Sequence, residues 1–153
     1  MKKLFLTIFA AALVAFSANA QPYNWAIGLR GGPAWGDITV KHFTSAGTAL
    51  DFAGAISFAG AGFEASGLYE WNATLANGLN FYYGPGVHAG LYAGDEAKAF
   101  ALGILGVIGL EYKFNAPIAL SLDWRPHLTY TFGSASGFGF GWADVGLGLK
   151  FCF

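Results

Sequence analysis

Cysteine is nearly absent. Cys152 is the only one in 153 residues, so no internal disulfide can brace the chain. Charge is scarce as well: Lys, Arg, Asp and Glu make up 11 % of the residues, with a formal net charge of −1. That leaves no basic patch to hold a nucleic acid. Five prolines are scattered along the chain, and no proline-rich or low-complexity stretch marks a linker. The three histidines, His42, His88 and His127, stand far apart in sequence and form no metal-ligand motif. "GPGVHAG" at 84–90 has glycines, but neither the spacing nor the following helix of a phosphate loop. No motif asks for a cofactor. "NAT" at 72–74 has the form of a glycosylation sequon, which matters only in a eukaryotic secretory pathway. Beyond residue 20 no apolar run reaches the roughly 20 residues of a membrane helix. The nearest, Phe100 to Leu110, is about half that length and is weakened as a helix by Gly103, Gly106 and Gly109.

Residues 1–20 are different. Lys2 and Lys3 precede an apolar run from Leu4 to Phe16, and Ala18-Asn19-Ala20 fits the small-x-small cleavage rule. This pattern predicts a secretory signal peptide cut before Gln21, leaving 21–153 as one domain. Without Lys2 and Lys3, six Lys and Arg face nine Asp and Glu.

What the chain has is period-two alternation, broken by turn clusters rich in Gly, Asn, Ser and Pro. Eight strands are expected, over 23–34, 36–44, 48–58, 61–73, 78–92, 99–114, 117–131 and 140–153, joined by "TSAG", "LANG", "NAP" and "GSASG" among other turns. Within single strands the charges share a phase: Glu64 with Glu70, Glu111 with Lys113, Asp123 with Arg125, Asp144 with Lys150. Arg30, Lys41, Asp51 and His127 can be placed on the same face. Asp37, Asp95, Glu96 and Lys98 are left for turns or loops. The opposite phase is large and apolar: Phe63, Tyr69 and Trp71; Leu102, Ile104, Ile108, Leu110, Tyr112 and Phe114; Val145, Leu147, Leu149, Phe151 and Phe153.

The charged face also carries many Gly, Ala and Ser, whereas the apolar face is too bulky to converge inside a small barrel, whose interior is just wide enough for side chains to fill. Apolar out and polar in is the pattern of a transmembrane barrel. Closure satisfies every backbone group where hydrocarbon would leave an open edge unpaired. The expected fold is therefore all-β: a closed, antiparallel, eight-stranded transmembrane β-barrel with up-and-down meander order. Tyr23, Trp25, Trp71, Tyr82, Tyr83, Trp124, Tyr130 and Trp142 are candidates for interfacial belts, and His42 falls on the outer phase.

The ending "GLGLKFCF", with Phe153 terminal and Leu147, Leu149 and Phe151 at alternate positions before it, resembles the C-terminal signal of Gram-negative outer-membrane barrels. "IGLRGGPAWGDITVKHF", "SGLYEW", "YYGPGVHAG", "IGLEYKF" and "PIALSLDWRP" resemble stretches of the small eight-stranded proteins of the outer membrane protein A barrel and outer membrane protein X class. Cys152 beside the terminal Phe is a departure. The resemblance implies an outer-membrane location, outer-membrane lipid around the barrel, recognition of the C-terminus by the barrel-assembly machinery, and a monomer.

Twelve residues are expected to line the interior as a charge network: Arg30, Lys41, Asp51, Glu64, Glu70, Glu111, Lys113, Asp123, Arg125, His127, Asp144 and Lys150. Such a network would plug a narrow lumen, since a wide pore needs about 16 strands. The expected role is structural or surface-interacting. The alternatives are a lipid A-modifying enzyme or a narrow channel for small solutes. For catalysis, Ser121 and His127 lie three same-face steps apart, each roughly 6.6–6.8 Å along the strand, too far for a nucleophile–base contact. His127 and Thr129 are close enough to approach, but Thr is a weak nucleophile. A dyad would need a partner from another strand, such as His88 or Ser66. The reading leans away from an enzyme.

Overall fold

The computed structural model describes residues 23–57, 61–94, 98–133 and 136–153. The leader, Asp95 and Glu96 lie outside these residues. Among the described residues there are ten strand segments and no helix: β1 (Trp25–Gly31), β2 (Trp35–Ser45), β3 (Thr48–Ser57), β4 (Ala61–Ala76), β5 (Leu79–Ala93), β6 (Lys98–Lys113), β7 (Ile118–Trp124), β8 (His127–Phe132), β9 (Gly137–Gly141) and β10 (Val145–Cys152). Each of the first six pairs antiparallel with the next. β6 pairs with β7 along one half and with β8 along the other. β9 pairs with β8, and β10 pairs with β7 and returns to β1, closing the ring.

The ten segments form eight staves. β7 and β8 are one stave interrupted at Arg125–Pro126, because proline has no N–H to give the ladder. Pairing runs on through the break: Gly106 N–H donates to the Pro126 carbonyl at 2.9 Å, and Arg125 N–H to the Asp144 carbonyl at 2.8 Å. β9 and β10 form the eighth stave, interrupted at 142–144. The structure is thus a closed eight-stranded antiparallel barrel in meander order, as the alternation predicts. The first stave is shorter than expected, because Gly32 to Ala34 make a tight turn closed by Gly32 N–H on the Trp35 carbonyl at 2.9 Å. At the "LANG" turn Gly78 adopts φ 81°, a conformation glycine takes without cost.

Alternation decides which side each residue takes. Along β10 exposed and buried residues succeed one another without a break. Leu29, Ile104, Val87 and Leu147 are more than half exposed on the outer wall, while Lys41, Glu70, Glu111 and Asp51 are sealed inside. The apolar part of the interior is small: Leu68, Tyr82, Leu105 and Val107 form one cluster, and Ala26, Ala119 and Cys152 another.

Two aromatic placements differ from the sequence reading. Tyr82, expected in a belt, is inside and has no exposure. Tyr23, also expected in a belt, packs against the Ala26–Ala119–Cys152 cluster and donates to Glu111. Tyr112 keeps the outward phase of Ile108 and Leu110, as expected, but is only 8 % exposed, with the Phe114 ring edge-on at 5.0 Å. Tyr82 and Tyr83 are adjacent, so one must face in, and composition does not say which.

Tight wall packing has a local test. The β4–β5 register skips Tyr69 and Glu70 opposite Gly84 and Pro85. Pro85 offers no N–H there, and the Tyr69 carbonyl leans over Gly84, where an added Cβ would meet it at 1.8 Å. Gly84→Ala is expected to destabilise the barrel by about 1–3 kcal/mol through forced strand movement. Gly139→Ala, whose Cβ would meet nothing within 4 Å, is expected to be nearly neutral. Urea unfolding in detergent, followed by tryptophan fluorescence, compares the two.

Candidate functional site

The polar interior is built in three tiers. The central tier is organised by Asp123. Arg30 Nε donates to Asp123 Oδ1 at 2.7 Å and Tyr82 donates to Oδ2 at 2.9 Å. The same guanidinium reaches Asp37 at 3.1 Å and Asp144 at 2.9 Å. Arg125 lies beside it, 3.3 Å from Asp123 and 3.6 Å from Asp51.

Glycines make this convergence possible. Asp123 is flanked in register by Gly109 on β6 and Gly146 on β10. A Cβ at 109 would strike the Tyr82 ring at 2.4 Å, and one at 146 would strike the Arg30 guanidinium at 2.3 Å. Side chains two staves away therefore reach Asp123 across bare backbone.

The second tier lies toward the end carrying the termini. Lys41 sits 2.9 Å from Glu70 and 3.8 Å from Glu111, and donates to Asn72 at 3.0 Å. Lys150 sits 3.2 Å from Glu111 and 3.6 Å from Asp51. Asp51 thus touches a cation of each tier. Lys41 also lies 4.5 Å from the centre of the Tyr82 ring, a cation–π distance. Tyr23 closes this tier from below. Burial, with Glu111 beside it, pushes its phenol far above the ordinary range and keeps it a donor.

The third tier is at the opposite end. Glu64 Oε1 lies 3.2 Å from His88 Nδ1, an ion-pair distance off the line of a hydrogen bond. His88 Nε2 lies 3.0 Å from Thr129 Oγ1. Tyr92 donates to the other Glu64 oxygen at 3.1 Å. The ring of His127 stands 5.4 Å from that of His88.

Of the twelve residues expected in one network, Arg30, Asp51, Asp123, Arg125 and Asp144 meet in the central tier, and Lys41, Glu70, Glu111 and Lys150 in the second. Glu64 and His127 stand apart from both. Lys113 points to the turn instead, donating to the Phe114 and Ala116 carbonyls at 2.9 and 2.7 Å. Asp37 corrects the sequence reading. It is not a turn residue but a buried member of β2, directly opposite Arg30. The short "GGPAWG" hairpin was the signal, since it fixes that pairing. Lys98, also assigned to a loop, begins β6 and is exposed. His88 and His127, distant in sequence, come together, while His42 stacks on Trp25 at 4.0 Å outside. Thr129 meets His88 rather than the His127 on its own strand.

In the two charged tiers four cations, Arg30, Lys41, Arg125 and Lys150, face six carboxylates, Asp37, Asp51, Glu70, Glu111, Asp123 and Asp144. Removing a cation here strands several anions at once. Arg30→Met is expected to cost about 3–5 kcal/mol, the scale of a broken buried ion pair. Lys98→Met, at an exposed position, should stay within about 0.5 kcal/mol. Equilibrium unfolding of both variants in the same detergent measures the contrast.

A scan against protein-family models and searches of the curated proteins and the solved structures find no match to this chain.

Proposed function

We propose that the protein is an integral outer-membrane β-barrel with a structural or surface-interacting role and a lumen closed by ion pairs. The observation that carries this reading is the inversion of sides in a closed barrel. Buried Arg, Lys, Asp and Glu fill the interior, while Leu, Ile, Val, Phe and Trp stand exposed around the outer wall. In water such a surface would aggregate, since monomeric soluble proteins rarely expose contiguous apolar patches beyond a few hundred Å². In a bilayer the same surface is solvated, and the β1–β10 pairing that closes the ring satisfies backbone groups that hydrocarbon would leave unpaired. Trp25, Trp71, Tyr83, Trp124 and Trp142 lie on the exposed wall, where interfacial aromatics belong.

The closed lumen favours this role over a solute channel. Arg125 on the seventh stave lies 3.6 Å from Asp51 on β3, and Lys41 on β2 lies 3.8 Å from Glu111 on β6, each pair four staves apart around the ring. On this reading Leu147, Leu149, Phe151 and Phe153, all outward on the closing strand or at its end, are the surface that the assembly machinery takes.

The test is electrophoresis of protein extracted from outer membranes, with and without boiling. The folded barrel is expected to migrate differently from the boiled chain. In planar bilayers it is expected to give no steady unit conductance. Phe153→Ala is expected to lower the amount reaching the outer membrane while leaving refolding in detergent intact. A chain that remains folded and soluble without detergent refutes the membrane placement.

A further inference from the structure

The tier away from the termini contains a side-chain relay that neither ion-pair tier uses. Ser66, His88, Gly103, Thr129 and Gly139 form one lateral row across β4, β5, β6, β8 and β9. Gly103 stands between His88 and Thr129. A Cβ there would meet His88 Nε2 at 2.2 Å, so the absence of a side chain is what lets the imidazole reach Thr129 Oγ1 at 3.0 Å. Glu64 faces the other ring nitrogen at 3.2 Å, and Tyr92 holds Glu64 from behind at 3.1 Å. A carboxylate at Nδ1 favours the tautomer whose Nε2 accepts the Thr129 proton. Hydroxyl, imidazole and carboxylate in that order are the parts of a nucleophile–base–orienter relay.

This tier is also open from the side. Among the described residues β9 pairs only with β8, because β1 ends at Gly31 below it. Between the β1–β2 turn and β9 lies a cleft of ≈ 380 Å³, with Trp35, Phe140 and Trp142 in its lining. Trp35, His127 and Asp144 also line a recess of ≈ 70 Å³ that reaches Glu64 and Tyr92. His127, common to both linings, stands 5.4 Å ring to ring from His88.

We propose that Thr129, His88 and Glu64 form a nucleophilic site that cleaves carboxylic esters of an amphiphile entering through this cleft. The ester chemistry rests on the interior geometry alone. The choice of an amphiphile rests on the membrane placement proposed above. Thr129 Oγ1 attacks the ester carbonyl carbon and its proton passes to His88 Nε2, while Glu64 stabilises the resulting imidazolium. The carbon–oxygen bond to the alcohol breaks, and the alcohol leaves with that proton. Water, giving a proton to His88, then hydrolyses the acyl-threonine, releasing the carboxylic acid and restoring the hydroxyl.

The test is hydrolysis of p-nitrophenyl acetate and p-nitrophenyl palmitate by the refolded full chain in detergent micelles. Folding of every variant is checked by gel mobility. The folded protein is expected to hydrolyse the palmitate ester faster than the heat-unfolded chain. Thr129→Val and His88→Asn are expected to lower kcat by at least about 100-fold, the scale of lost acid–base catalysis. Thr129→Ser is expected to retain activity. Folded protein no faster than the unfolded chain, or a folded Thr129→Val with the wild-type rate, overturns the proposal. Loss of activity in Ser66→Ala overturns the choice of nucleophile, and activity confined to the acetate ester overturns the amphiphile. The assay needs no native membrane, so absent turnover leaves the membrane placement standing. A chain found outside membranes still reports on the ester chemistry.

Discussion

The contact on which the interior depends is that of Arg30 with Asp123. It passes over the closing strand at Gly146, joins a strand at the start of the chain to one near its end, and at 2.7 Å is a charge-assisted hydrogen bond. Neither partner is affordable alone, because an isolated charge in a water-poor interior is strongly penalised. Around that pair the other placements follow. Asp37 and Asp144 take the remaining guanidinium donors, Tyr82 takes the second Asp123 oxygen, and Arg125 lies against the resulting cluster of carboxylates. A one-residue slip of any stave would carry its charges to the outer wall, so the interior also specifies register.

Glycine solves the spacing problem in the same way twice. Tyr82 on β5 passes over Gly109 on β6 to reach Asp123, and His88 on β5 passes over Gly103 to reach Thr129. The two rows are six residues apart along both β5 and β6. One closes the middle of the barrel with a fixed donor–acceptor pair. The other sits beside a lateral cleft and places an imidazole between a hydroxyl and a carboxylate. The same backbone device thus serves closure in one tier and, on the proposal made above, chemistry in the other.

Much of the fold is legible in the sequence because a strand has only two faces. Once Asp123 and Arg125 alternate with Leu122 and Trp124, the side each takes follows from the pleat. Turn residues mark where staves end, and the "LANG" turn falls where expected. Less legible is any residue whose neighbours in sequence share its character. Tyr82 beside Tyr83 gives no phase, and Tyr23 lies before the first regular strand. Asp37 looked like a turn residue because the hairpin before it leaves so little room, yet that same tightness puts it opposite Arg30.

The sequence by itself determined the alternation, the number of staves and hence a closed all-β barrel, because period two and turn chemistry are local properties of the chain. Only the tertiary structure decided which charges meet. Arg30 finds Asp144 and Thr129 finds His88 through register and closure, which add up across several staves and cannot be read from any one of them. The lateral cleft has the same origin. It exists because β1 is shorter than the stave beside it, a mismatch that appears only when the ring closes.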